Sequence, residues 1–328
     1  MFPTEIKELP AVQLFVLMLS FFVLLLVSAG VSVGLGSMGI SDERTVLLTA
    51  SAVQCVVAFC LPAWITARFS SSHPANWLYL TKKLNIWCFA GVVVGYIIVM
   101  PALNWVVDWN EHIHFPESMH KVEETFRSWE NANGGIANKI LEGASPTATA
   151  AAVCIVGLLT GFSEELFFRG ALQGIIHRSR VSNAVAVWGA AAIFSALHFQ
   201  FFGFVPRLLM GAFFGYLLVW SRSLWLPIFA HAFNNSMVVL SYNTERMKGD
   251  LENIGLTDGG GISWIAIGSA FLFALYLYAF RNYLLRKEGG IGNGKESDRS
   301  FIQGCDDNYQ ERRVCFRLHI DGRRTLLS

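Results

Sequence analysis

The sequence predicts an all-α fold: a polytopic bundle of about eight transmembrane helices, followed by a disordered C-terminal tail. Of the 328 residues, 53% are hydrophobic and only 15% are charged, whereas soluble domains usually carry about 25% charged residues. The mean hydropathy is +0.45. The apolar residues are gathered in long runs, which is typical of helices that cross a bilayer.

Eight apolar runs are each close to the roughly 20 residues that a membrane-spanning helix needs. Backbone polar groups in hydrocarbon must be hydrogen-bonded within the segment, so these runs favour helices over a barrel. The first run is too long for a signal-peptide core and lacks a small-residue cleavage site, which predicts a retained span. The predicted spans are 12–34, 46–67, 85–106, 147–176, 183–202, 204–220, 224–242 and 262–284.

The charges in the connections predict an orientation. The connection 107–146 carries seven acidic and three basic residues, so it is predicted to be external. The positive-inside rule then places both termini in the cytoplasm of a cell whose plasma (inner) membrane holds the protein. The opposite set of connections carries the basic residues Arg68, Lys82, Lys83, Arg178, Arg180, Arg222, Arg286 and Lys287.

The chain divides into three predicted regions. Residues 1–144 hold the first spans and an external amphipathic segment, 145–287 form the candidate functional membrane domain, and 288–328 form a polar tail. The tail shows little apolar periodicity and is predicted to be disordered and cytoplasmic. With a formal charge of +1, the chain offers no bulk field to attract nucleic acid, so membrane lipid is the expected surrounding.

A short helix on the membrane surface is predicted in the external segment. Its apolar residues recur every three or four positions behind Pro116, and Gly134-Gly135 is expected to end it. A packing role is favoured there over a substrate gate. The apolar positions are Met119, Val122, Phe126 and Trp129.

Several polar residues fall inside predicted spans. An ionisable side chain there costs about 2.5–3.5 kcal/mol on insertion scales and is a functional candidate by default. At about 1.5 Å per residue, the three helices concerned bring these side chains to overlapping depths. The candidates are Glu164, Glu165 and Arg169 in span four, His198 in span five, and His231 and Asn235 in span seven.

Helix geometry separates the two glutamates. Glu165 and Arg169 are four residues apart and can pair on one helix face, whereas Glu164 is rotated by about 100° and has no such partner. A Glu–Arg pair or a single histidine in a membrane is often only a packing contact. Two glutamates, two histidines and an asparagine together favour a site in which a carboxylate activates water and imidazoles orient it.

Other designs of membrane protease are not supported. The sequence contains no HExxH motif for a zinc protease, and spans four to eight contain no aspartate for a paired-aspartate mechanism. A serine nucleophile at Ser163 is disfavoured because the next residue is Glu164 rather than a glycine.

In chain order, the candidates form the motifs Glu164-Glu165-x-x-x-Arg169, Phe194-x-x-x-His198 and His231-x-x-x-Asn235. This set resembles the CPBP family of CAAX proteases and bacteriocin-processing enzymes, also called the Abi family. The resemblance covers roughly residues 145–242. It implies an intramembrane endopeptidase of the type II CAAX prenyl endopeptidase kind, acting on a peptide or membrane-associated protein substrate.

The resemblance also implies roles for the motif residues. Glu164 would activate the attacking water and His198 would help to hold it, while His231 and Asn235 would complete the site at the oxyanion or at a metal. Glu165 and Arg169 would support them.

The metal question stays open at this stage. His198, His231 and Glu164 are the possible ligands of a divalent metal such as Zn²⁺. If Glu164 is the base, however, two histidines and an asparagine are left as a poor zinc set.

Two other functions stay open as well. A family-like membrane protein without protease activity could serve in immunity to secreted peptides or as a scaffold. A proton-coupled transporter could use the same polar cluster as a relay, although no inverted repeat or paired broken helices are evident.

Overall fold

The computed structural model describes residues 9–37, 39, 42–242, 253–256 and 263–288. All regular structure within these ranges is helical, which confirms the predicted helical bundle. The predicted tail lies outside the described residues apart from Glu288. The helices are α1 Pro10–Ser37, α2 Glu43–Ser70, α3 Ile86–Glu111, α4 His120–Leu141, α5 Pro146–Arg178, α6 Asn183–Ala196, α7 Phe204–Ser221, α8 Trp225–Tyr242 and α9 Trp264–Glu288.

Each of the eight predicted spans contains a helix, but the helices differ in length. Among the described residues, six are long and apolar enough to cross a membrane: α1, α2, α3, α5, α7 with the turn before it, and α9. The fifth prediction, 183–202, is too long at its C-terminal end because α6 ends at Ala196. The chain then turns, and Phe199 adopts a φ of 52°, which an α-helix does not allow.

The connections that carry the basic residues meet on one face of the bundle. The Lys82 Nζ donates a hydrogen bond to the Ser221 carbonyl at 2.7 Å, and an Arg178 guanidinium nitrogen donates to the Trp77 carbonyl at 3.0 Å. The connections that follow α2, α5 and α7 are therefore neighbours, as alternating helix directions require.

Helix α4 lies against the turn between α6 and α7. Phe126 stacks on Phe201 with ring centroids 5.4 Å apart, and a Glu130 carboxylate oxygen accepts the Phe202 N–H at 3.0 Å. The expectation that Gly134-Gly135 ends this helix is wrong. Neither glycine has a positive φ, and the helix continues to Leu141, just before Gly143 with a φ of 60°.

The start of α4 is held by Glu123. Its carboxylate accepts the Phe115 N–H at 2.8 Å and the Arg127 Nε–H at 2.9 Å. These bonds favour the charged form, so they lower the pKa of Glu123 to about 2, the Phe115 N–H being the larger cause. The carboxylate therefore stays ionised at neutral pH and joins α4 to the chain that precedes it.

Helix α5 is the central element of the bundle. Its buried apolar side chains, including Phe167, Phe168 and Leu172, pack with Phe21 of α1 and Phe194 of α6 in one cluster. Two stretches of α5, Val153–Leu159 and Leu166–Gln173, are wound as π-helix with wider turns. Such wide turns re-aim the side chains beside them and are frequent at functional sites.

The stretch of α5 between these wide turns contacts α8 backbone to backbone. A Cβ atom at Gly161 would lie 2.7 Å from the Ala232 nitrogen and 2.8 Å from its Cα. Only glycine fits this approach, which brings Glu164 and Glu165, one turn further along α5, towards α8.

We expect Gly161→Ala to lower the free energy of unfolding by about 1–3 kcal/mol, because the added methyl group forces α5 and α8 apart. Thermal unfolding in detergent micelles measures this. Gly189→Ala is the matched control, since a Cβ there meets nothing within 4 Å and alanine is the better helix former. Equal melting of the two variants would contradict the close approach.

Candidate active site

The Glu165–Arg169 pair that the spacing predicts is present and fully buried. An Arg169 Nη1 to Glu165 Oε1 distance of 2.6 Å joins the two side chains, each of which is 0% exposed. The second terminal nitrogen, Nη2, donates to the Gly211 carbonyl of α7 at 2.9 Å. The guanidinium carbon also lies 4.6 Å from the centre of the Phe194 ring. The pair therefore connects α5 with both α6 and α7.

His231 joins the two glutamates. Its Nδ1 lies 2.8 Å from Glu165 Oε1, and its Nε2 lies 3.7 Å from Glu164 Oε2. Its ring stacks on Phe214 with centroids 5.0 Å apart. Since an ionised carboxylate only accepts hydrogen bonds, Nδ1 carries a proton and donates it to Glu165, while Nε2 faces Glu164.

Glu164 is the less confined of the two acids. Its side chain is 12% exposed, against 0% for Glu165. The 3.7 Å separation from His231 is too long for a hydrogen bond and is the kind of gap that a small polar group can bridge. Arg169 neutralises Glu165 by direct contact, so Glu164 is the carboxylate available to an incoming ligand. Helix rotation predicts this division of the pair.

His198 lies in the turn just after α6. Its Nδ1 donates to the Phe194 carbonyl at 2.8 Å, so the Nε2 of the neutral ring is an acceptor. The Phe194 ring packs beside both imidazoles, with centroids 4.8 Å from His198 and 5.8 Å from His231. Phe194 thus packs against both histidines.

The hydrogen bonds of Asn235 join two helices. Its amide Nδ2 donates to the Val156 carbonyl at 3.3 Å, and its Oδ1 accepts from the Asn234 amide at 3.2 Å. Val156 belongs to the first wide turn of α5. The hydrogen bonds of Asn235 within the described part of the chain therefore join α8 to α5, one turn away from His231, and do not reach the glutamates.

The side chains do not form a metal-binding set. Within the described ranges, no three His, Cys, Asp or Glu side chains converge on a point where a metal ion could sit. His231 directs Nδ1 to Glu165, and His198 directs Nδ1 to a backbone carbonyl. The proposed ligand set of His198, His231 and Glu164 thus does not fit a preformed Zn²⁺ site, which needs three or four converging ligands.

Arg207 is a residue of the site that the sequence motifs missed. It lies in the first turn of α7 and interacts electrostatically with both Glu164 and His198. The criterion that selected the other candidates could have found it, because Arg207 is an ionisable residue within the predicted span 204–220. The fold and this centre together define a polytopic membrane protein with a buried carboxylate–imidazole site.

Comparison with known proteins agrees with the motifs. Residues 146–237 match the family model described as Rce1-like, type II CAAX prenyl endopeptidase Rce1-like. This segment runs from the start of α5 into α8 and holds all three motifs, so the match confirms the resemblance that the motifs show. The segment that carries the motifs in this integral membrane protein is therefore similar to the Rce1-like family.

One curated relative shows only how much of the two chains is similar. Over 122 residues the chain is 27% identical to the uncharacterized protein YpbD of Bacillus subtilis (strain 168). The alignment covers 36% of this chain and 58% of YpbD, so the chain spans little more than half the length of that relative. No solved structure matches the chain.

We expect Arg169→Met to destabilise the protein by about 3–5 kcal/mol, because it leaves the Glu165 carboxylate buried without its cation. The double variant Glu165→Gln/Arg169→Met should recover part of this loss, since it removes both charges. Unfolding midpoints in micelles measure the effect. Arg68→Met, at an exposed position in the last turn of α2, is the control and should stay within about 0.5 kcal/mol. A double variant no more stable than the single one would refute the coupling.

Proposed function

We propose that the protein is an intramembrane endopeptidase that hydrolyses a peptide bond near the membrane, as in CAAX processing. The observation that carries the proposal is that the two glutamates have different partners. Glu165 is neutralised by Arg169 and bonded to His231, while Glu164 faces Nε2 of the same imidazole across 3.7 Å. The Rce1-like match over these residues supports the same reaction class.

In this proposal Glu164 is the general base. A water molecule between Glu164 and His231 loses a proton to the carboxylate while its oxygen attacks the scissile carbonyl carbon. His198, whose Nε2 is free to accept, helps to orient that water. The tetrahedral intermediate then collapses, the C–N bond breaks, and the proton on Glu164 passes to the departing amine. Glu165 acts as a positioning residue that orients the His231 ring, and Arg169 holds Glu165 in place.

Asn235 remains part of the proposed site, as a positioning residue. By donating to Val156 in the wide turn of α5, it keeps α8 in register with the helix that carries Glu164. No step in this mechanism passes through a metal, because no three His, Cys, Asp or Glu side chains converge on one point in the part of the chain that the structure describes. The substrate class suggested by the family is a membrane-associated protein that ends in a C-a-a-X sequence.

The expected result for Glu164→Gln is a loss of cleavage on the order of 10²–10⁴-fold with the fold retained, the usual cost of removing a general base. Reconstituted vesicles and fluorogenic C-a-a-X peptides, prenylated and unprenylated, provide the assay, with melting curves as the check on folding. Glu124→Gln, which removes a carboxylate that is 66% exposed, is the control and should cleave normally.

Undiminished cleavage by the Glu164→Gln protein would disprove the base assignment. A folded wild-type protein that cleaves neither form of the peptide would favour a non-proteolytic role instead.

For orientation, we propose that both termini are cytoplasmic and that α4 is external, in the plasma (inner) membrane. The charge pattern of the connections supports this arrangement. In a background without native cysteines, a membrane-impermeant maleimide should label Glu124→Cys in intact cells, and Lys83→Cys only after permeabilisation. Both positions are exposed. The reverse labelling pattern would invert the proposed topology.

A further inference from the structure

Arg207 is a cation of the site with a terminal guanidinium nitrogen that has no partner among the described residues. Its Nη2 donates to the Gln200 side-chain oxygen at 2.6 Å, and Gly203 lets the guanidinium lie close to the backbone, since a Cβ there would be 3.1 Å from Nη2. Its Nη1 is buried and has no hydrogen-bond partner among the described residues. A buried donor on a charged group is costly to leave unpaired, so it calls for a partner from outside the chain.

The guanidinium of Arg169, the other arginine of the site, is in a different state. It is 0% exposed, and its Nη1 and Nη2 are both bonded, to Glu165 and to Gly211. Its Nε alone lacks a partner in the described ranges. Its charge is thus balanced in direct contact. Arg207 is half-buried, and its hydrogen bond to Gln200 is with a neutral amide.

The surroundings of Arg207 show which chemistry it attracts. It interacts electrostatically with two carboxylates, Glu164 of α5 and Glu130 of α4. Glu130 is also engaged elsewhere, because its Oε2 accepts the Phe202 N–H at 3.0 Å. Glu164 is reserved for the reaction in the proposed mechanism. A further carboxylate, supplied by a ligand, is the group that the guanidinium fork is suited to bind.

We propose that Arg207 binds the free C-terminal carboxylate of the substrate and so sets the cut close to the end of the chain. This inference rests on the proposed endopeptidase function and adds the group that selects the substrate. A C-a-a-X protein has three residues after its cysteine, and three extended residues span at most about 10 Å. Such a short product keeps its carboxylate near the base, where a cation that interacts with Glu164 and His198 lies.

The test compares one peptide in two forms, an S-farnesyl C-a-a-X fluorogenic peptide as the free acid and as the C-terminal amide. We expect the wild-type kcat/KM to favour the acid by about ten- to a hundredfold, the range for a charge-assisted hydrogen bond. Arg207→Gln should bring the ratio close to one by raising the KM for the acid. Arg207→Lys should keep part of the preference, because it retains the charge without the fork.

Two comparisons separate this role from a structural one. Among the described residues, the Arg44 guanidinium bonds to the Lys139 and Glu142 carbonyls near the end of α4. Arg44→Gln removes this guanidinium, which lies outside the site, and should leave the acid preference unchanged. A purely structural loss in Arg207→Gln would lower the rates for both peptide forms and leave their ratio as in the wild type. That outcome would overturn the proposal.

Binding of the same peptides to the Glu164→Gln protein, with and without Arg207→Gln, gives a readout that does not need turnover. Tighter binding of the acid that disappears with Arg207→Gln supports the proposal even if the enzyme does not cleave this peptide. Equal binding of acid and amide overturns it, while the general-base assignment of Glu164 is decided separately by cleavage.

Discussion

The buried ion pair between Glu165 and Arg169 is the interaction on which the rest of the polar centre depends. Both side chains are 0% exposed, and a charge in such surroundings is tolerated only when it is paired and hydrogen-bonded. The guanidinium satisfies this condition with groups from several helices, including the Gly211 carbonyl and the face of the Phe194 ring. Moving α6 or α7 would therefore expose an unpaired charge to an apolar interior, which makes the arrangement stiff.

This stiffness extends to the imidazole of His231. One oxygen of Glu165 contacts both Arg169 and His231, so the same carboxylate neutralises the cation and orients the ring. The ring then presents Nε2 to Glu164, and its stacking on Phe214 limits rotation. In the proposed hydrolase, the two adjacent acids differ because Glu165 is bonded to Arg169 and His231, whereas Glu164 remains available as the base.

Two features of the α5 backbone make this arrangement possible. The wide turns on either side of the Glu164-Glu165 pair change the direction in which the following side chains project. Gly161 lets α8 approach until backbone meets backbone. Helix α4 adds a third constraint from outside the bundle, because Glu130 and Phe126 hold the turn that follows His198.

Much of this architecture is determined by the sequence alone, because the bilayer imposes a simple length rule and makes buried charges conspicuous. Apolar runs located the helices, and the i,i+4 spacing predicted the Glu165–Arg169 pair, since both depend only on neighbours along the chain. Other features depend on contacts between distant segments.

Two features that follow from such contacts were not predicted. Phe199 has a positive φ near the end of the fifth apolar run, and α4 continues through Gly134-Gly135. Only the tertiary structure decided that His231 bonds to Glu165 and that Asn235 reaches Val156. It also decided that Arg207 enters the site. In each case the side chain could have bonded to several partners, and these partners lie on segments that are distant in the sequence.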